Sequence, residues 1–127
     1  MSRAIDRLVA EKVMGWEWIE SLCCWCPTHK DATLAETRSK REWLPSTSIA
    51  CAWEVVEKMR DGNRKVSMET IFAGGKLHND VVVSGSIADL ASIGCADEET
   101  MPFAICIAAL HAVGVDAATI EAARNQP

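Results

Sequence analysis

Three cysteines, a tryptophan and a histidine crowd into "SLCCWCPTHK", residues 21–30. Cys23 or Cys24, Cys26 and His29 are residue types that hold zinc, and Cys95 or His78 could complete a set of four. A zinc module usually shows two pairs of ligands at short spacing, whereas here one crowded cluster has no second pair. Cys24-x-Cys26 is tighter than the usual knuckle. Cys23 to Cys26 has the C-x-x-C spacing of a redox pair, but it does not open a helix after a strand. We therefore expect a reduced, sulfur-rich segment with no bound metal and no cofactor. Cys51 and Cys106 lie in apolar helical patterns, where a reduced cysteine behaves as a small hydrophobe.

Nucleophilic catalysis needs a cysteine or serine beside a histidine base and an oxyanion donor. The chain has three histidines, His29, His78 and His111, and no spacing links His78 or His111 to a nucleophile. "AGGK" reads as a turn rather than a phosphate loop. The expectation is a non-enzymatic protein. A binding feature stands out instead. Trp43, Pro45, Ser46, Thr47 and Ser48 directly precede a helix, where unpaired amides and hydroxyls suit a phosphate or carboxylate. Trp16 and Trp18 follow the first helix, and five tryptophans with no tyrosine is an unusual balance. An indole face stacks on a nucleobase for ~1–3 kcal/mol. Arg38, Lys40, Arg41, Arg64, Lys65 and Lys76 add positive charge. The competing explanation is ordinary: hydroxyls cap the helix, Trp53 and Trp16 fill core, and the basic groups are solvated. The candidate ligand-binding set is Trp16, Trp18, Trp43, Ser46, Thr47, Ser48, Arg64 and Lys76.

Composition bounds these readings. A chain of 127 residues forms one domain, 1–127, with nearly half its residues apolar and a formal charge of −5. That charge argues against a surface made for duplex nucleic acid, where basic patches dominate affinity. No apolar run reaches the roughly 18–20 residues that span a bilayer, so no membrane partner is expected. "MSRAIDRLVAEKVMGW" scatters charges through its apolar positions, unlike a signal peptide. The expected location is a cytoplasm.

The elements that must position these groups follow from periodicity. Residues 3–14 form a helix with Ile5, Leu8, Val9 and Val13 on one stripe and Arg3, Asp6, Arg7 and Glu11 opposite. "WEWI" alternates as a short strand. Residues 20–45 show neither period and read as a long irregular insertion. "LPSTSIACAWEVVEKMRDGN" contains the clearest helix, with Ile49, Ala52, Trp53, Val56 and Met59 on the apolar stripe. "KVSMETIF" and "HNDVVVSGSI" around "AGGK" make an antiparallel hairpin. "ETMPFAICIAALHAVG" is a helix apolar nearly all round, buried on two sides by its own domain or by a second subunit. A short terminal helix begins at Asp116. This order predicts an α+β fold, a small antiparallel sheet covered by helices.

"LVAEKVMGW" (8–16), "WLPSTSIACAWEVVEKM" (43–59) and "ETMPFAICIAALHAVG" (99–114) together resemble the phage ABA sandwich domain family. The three segments occur in the family's order and cover about a third of the chain. Ser48 stands where the family usually carries aspartate. Residues 17–42 depart from the family pattern by being long and cysteine-rich, and the hairpin from 64 to 96 shows little detailed similarity. The resemblance implies an α/β/α layering and a phage origin, but no reaction. By analogy with phage proteins that sequester signals, it suggests a homo-oligomeric sponge for a host nucleotide immune signal. The alternative is a phage accessory protein that acts by protein–protein contact and holds no small ligand.

Overall fold

The computed structural model describes residues 3–20, 24–27, 38–39, 42–84 and 94–126. The first helix, α1 (Arg3–Leu8), continues as a π-helical segment (Val9–Val13), in which the Met14 amide reaches back to the Val9 carbonyl at 3.0 Å. Gly15, at φ 71°, then turns the chain into β1 (Trp16–Ile19). Ile5, Val9, Ala10 and Val13 are buried as the apolar stripe requires. Asp6 departs from the expected polar face and is only 6 % exposed.

β1 pairs antiparallel with β2 (Cys24–Pro27), which pairs with β3 (Arg38–Ser39). Part of the expected irregular insertion is therefore a small sheet. Four residues of "CWCP" and two of "RS" are too short to display a period of two, so alternation could not reveal them. The register sets Trp18 opposite Trp25, and the rings meet edge to face with centroids 5.1 Å apart.

α2 (Ile49–Asp61) begins at Ser48, whose hydroxyl accepts from the Cys51 amide at 3.3 Å, the usual N-cap arrangement. Its buried stripe is Ala52, Val55, Val56 and Met59. Ile49 and Trp53, expected inside, are 53 % and 44 % exposed. The stripe is rotated by about one position, because the rows at spacing three and four run 52, 55, 56, 59.

The hairpin β4 (Lys65–Ala73) and β5 (Lys76–Ser84) forms as expected, and β6 (Gly94–Glu98) adds a third antiparallel strand in the order β4-β5-β6. "GCADE" has no apolar alternation, which hid it. Gly94 is required by packing: a Cβ there would collide with the Ala108 carbonyl and the Ala112 amide of the helix lying over it. That helix, α3 (Met101–Ala112), is buried continuously from Ala104 to Leu110. It is covered by β5 and β6 and by α1, the π-helical segment, α2 and the last helix α4 (Ala117–Arg124). Its own domain thus accounts for both apolar sides.

Buried Asn79 ties the layers together. Its amide nitrogen donates to the Glu98 and Glu99 carbonyls at 3.2 and 2.8 Å, and its oxygen accepts from Thr70 Oγ1 at 2.9 Å. Asp116 caps α4 by accepting from the Thr119 amide at 2.7 Å, which holds the Asp116 carboxyl below its ordinary pKa. Arg124 returns from α4 to Glu98 and stacks over the Phe103 ring. The described residues form an α+β fold of four α-helices, one π-helical segment and two three-stranded antiparallel sheets. Among the described residues no helix is long and apolar enough to cross a membrane.

Candidate functional site

The start of α2 is where tryptophans and hydroxyls converge, and the structure fills that space with their own contacts. Trp16 and Trp43 meet with ring centroids 4.6 Å apart and planes tilted by 58°. Trp43 is 1 % exposed, and its indole nitrogen donates to Glu54 Oε2 at 2.9 Å. The Ser46 amide donates to Asp6 Oδ1 at 2.8 Å. Ser48 Oγ is engaged as the helix cap, and the Ser48 amide donates to the Leu44 carbonyl at 2.8 Å. Thr47 alone of the three hydroxyl residues is exposed, with Oγ1 3.5 Å from the Leu44 carbonyl. Trp43 therefore offers no ring face to a ligand, and the Ser46 amide offers no donor. What stays open at this helix start is a pocket of about 400 Å³ that Ser46 and Thr47 share with Glu98, Glu99, Thr100 and Phe103, so two carboxylates rather than indoles stand beside the hydroxyls.

Asp6 is the unusual member of that junction. Desolvation raises its pKa and outweighs the Ser46 amide, which favours the carboxylate. Asp6 Oδ2 and Ser46 Oγ are both buried and have no hydrogen-bond partner among the described residues. A void of about 10 Å³ beside Asp6, lined also by Arg3, Arg7, Trp25, Trp43 and Leu44, holds one water at most, while Ser46 borders the separate open pocket of about 400 Å³.

The other expected site residues do not join this junction. Trp18 packs on Trp25 and donates to Glu20 at 2.6 Å. Arg64 precedes β4 at the base of the hairpin, whereas Lys76 follows the turn at its tip, opposite Ala73. The cysteine cluster is only partly described. Cys23 and His29 lie outside the described residues, as do Lys40 and Arg41. Cys24 is buried and Cys26 half-buried on β2, while Cys95 is exposed on the other sheet. Among the described residues no three acids, histidines or cysteines are grouped to hold a metal ion. Cys51 is half-buried and donates to the Glu42 carbonyl at 3.5 Å. Cys106 is fully buried, and burial together with the Asp6 charge pushes its thiol well up, away from the reactive thiolate.

A further open space lies between α1 and α4. A cleft of about 820 Å³ runs there, within the range of small-molecule sites. Residues 3, 7 and 11 succeed one another at four-residue spacing, so Arg3, Arg7 and Glu11 form one wall. Thr119 and Gln126 supply polar groups, and alanines including Ala4 and Ala122 leave the space between the helices. Arg7 Nε lies 3.0 Å from Glu11 Oε1, while Arg3 makes no ion pair among the described residues. In a chain of charge −5, two guanidinium groups on one wall make a local anion-attracting surface. The stripe was visible in the sequence as the polar side of the first helix. Its opposing wall was not, because nothing in the sequence says which helix packs there.

A second open region is the β4–β5 hairpin. Phe72 is 74 % exposed, and Ile71, Leu77 and Met68 are also exposed. On its outer face His78 Nδ1 lies 3.1 Å from Asp97 Oδ2.

Residues 7–110 match the family model of the phage ABA sandwich domain. No curated protein and no solved structure matches the chain.

Proposed function

Since the chain belongs to the phage ABA sandwich domain family, we propose that it holds a small anionic ligand, nucleotide-like in size, in the cleft between α1 and α4 and leaves it chemically unchanged. The observation that carries this reading is the pairing of Arg3 and Arg7 on the wall of a cleft of about 820 Å³. Arginine presents a fork of donors that matches phosphate oxygens. Thr119 and Gln126 line the same cleft and supply polar groups to fix orientation. The two described histidines, His78 and His111, do not line it. In a phage protein, capture without turnover fits a counter-defence sponge that lowers the free concentration of a host nucleotide signal. The ligand site moves from the start of α2 to this cleft, and the reading of capture is retained.

Native mass spectrometry of the protein purified from phage-infected cells tests it. A phosphate-bearing small molecule should be retained and released intact on heating. Arg3→Ala/Arg7→Ala should lose it, with affinity lowered at least roughly tenfold for each charge-assisted contact removed. A retained ligand that survives the double substitution removes the cleft from the site.

A second reading is favoured by the hairpin. Phe72, Leu77, Ile71 and Met68 present apolar surface without covering it, as a protein accessory that acts by contact would. The same preparation separates the two, because a stoichiometric protein partner and an empty cleft support the accessory reading.

A further inference from the structure

The edge of the larger sheet carries a self-complementary sequence. Among the described residues β4 is an outer strand in the order β4-β5-β6, and it is nine residues long. It contains no proline, and eight of its nine residues are exposed, with Val66 half-buried. Such an edge offers a row of backbone donors and acceptors to another strand. Its residues alternate between two faces. The register with β5 places Val66, Met68 and Thr70 beside Val83, Val81 and Asn79, the buried side, and Lys65, Ser67 and Glu69 on the open side. Read outward from Ser67, the strand shows Val66 and Met68, then Lys65 and Glu69. Apolar answers apolar, and base answers acid.

We propose that a second copy of this chain pairs antiparallel with β4 across a two-fold axis at Ser67. Each Lys65 then faces the second copy's Glu69 on the open side, and each Val66 faces the second copy's Met68 on the buried side. The charge pattern supplies a reason for this occupant. Glu69 lies directly opposite Asp80, which lies directly opposite Asp97, so three carboxylates occupy one cross-strand row. Like charges placed opposite one another destabilise a sheet. His78 meets the Asp97 end of that row at 3.1 Å, and a lysine from the second copy offsets the repulsion at its open Glu69 end. On the other side the row Val83, Val66, Met68, Val81 becomes continuous across the two-fold, linking the buried Val81 and Val83 of the two copies. Moving the axis to Met68 sets Lys65 against Ile71. Moving it to Glu69 brings the two Glu69 carboxylates face to face.

Sedimentation equilibrium of the full chain up to roughly 200 µM, a range that captures micromolar pairing, tests the arrangement. The unmodified chain should be a dimer. Lys65→Glu and Glu69→Lys should each weaken it roughly tenfold or more, since each turns two attractive contacts into two repulsive ones. The combined Lys65→Glu/Glu69→Lys chain should regain the original affinity to within about threefold, the recovery that a direct charge pair requires. Both positions are exposed, and a cooperative thermal melt of each variant at monomeric concentration confirms that it folds. A monomer throughout, a dimer indifferent to the single reversals, or a double reversal that fails to recover overturns the proposal.

Discussion

The junction before α2 and the tip of the β4–β5 hairpin use similar raw material to opposite ends. At the junction Trp16 and Trp43 press together, the indole of Trp43 is bonded to Glu54, and the Ser46 amide is bonded to Asp6. At the hairpin tip Phe72 stands 74 % exposed, with Leu77 beside it in the register. An aromatic ring and polar partners near a helix start look in sequence like a place to receive something, and here they receive each other. The hairpin drew no such attention, because an alternating strand looks like ordinary core. What distinguishes a site from a seam is whether the groups have been claimed by the chain itself, and that depends on contacts between distant segments.

Truncating the aromatic at each place gives the largest contrast. Trp43→Ala should cost about 3–5 kcal/mol of unfolding free energy, the range for a large buried ring whose cavity cannot fully collapse. It also leaves Glu54 without its indole donor. Phe72→Ala should stay within about 0.5 kcal/mol in the monomer, as exposed substitutions do. Urea unfolding monitored by far-UV circular dichroism at concentrations too low for association measures both. A Trp43 variant as stable as the parent would mean that the junction is an open receptacle after all, and the comparison would fail at its stronger end.

Asp6 probes the same seam more finely. Removing its carboxylate by Asp6→Ala leaves the buried Ser46 amide without an acceptor and should cost about 1–3 kcal/mol. Asp6→Asn keeps an acceptor for that amide and gives the buried Ser46 Oγ a donor, so it should match or exceed the parent near neutral pH. The two substitutions also differ in pH dependence. Burial raises the Asp6 pKa, so the folded chain binds this proton more tightly than the unfolded chain does. Stability from this group is therefore fully present below the unfolded carboxylate's pKa and is lost as pH rises through the folded value. In Asp6→Asn that decline should vanish. Thermal melts in steps between about pH 4 and about pH 7 report it, and an unchanged slope in the asparagine variant would show that Asp6 is not the group responsible.

The same contrast explains what the sequence could show. The helical stripes of Ile5, Val9 and Val13 and of Ala52, Val56 and Met59, the hairpin about "AGGK", the apolar α3 and the Asp116 cap were readable because each is governed by neighbours within about five residues. Short β2 and β3 carry too few residues to establish a period, and β6 is specified from outside, by the α3 backbone that admits only glycine at position 94. Asp6 looked solvated because charge is normally outside, yet its environment is set by Ser46, forty positions away. Trp53 looked buried because tryptophan usually is, and a rotation of about one position put it outside. The cleft had only one wall in the sequence. Arg3, Arg7 and Glu11 were legible as a stripe, whereas Thr119 and Gln126 meet them only through the docking of α4 on α1.

The smallest expected effect concerns stability at that cleft, and it tests whether its arginines serve the fold at all. Arg7 and Glu11 form an i,i+4 pair whose side chains are 65 % and 35 % exposed, so solvent screens most of their attraction. Arg7→Ala should lower stability by no more than about 0.5 kcal/mol. Arg3→Ala has no ion pair among the described residues to lose, and it should change stability less still. Buried Trp43 and Asp6 are bound into the seam, so their replacement is felt throughout the fold. Paired denaturation curves of the two arginine variants, read alongside their ligand retention, complete the comparison. If either substitution instead unfolds the chain by several kcal/mol, the guanidinium groups brace α1 against α4, and the cleft is a second seam rather than a place for a ligand.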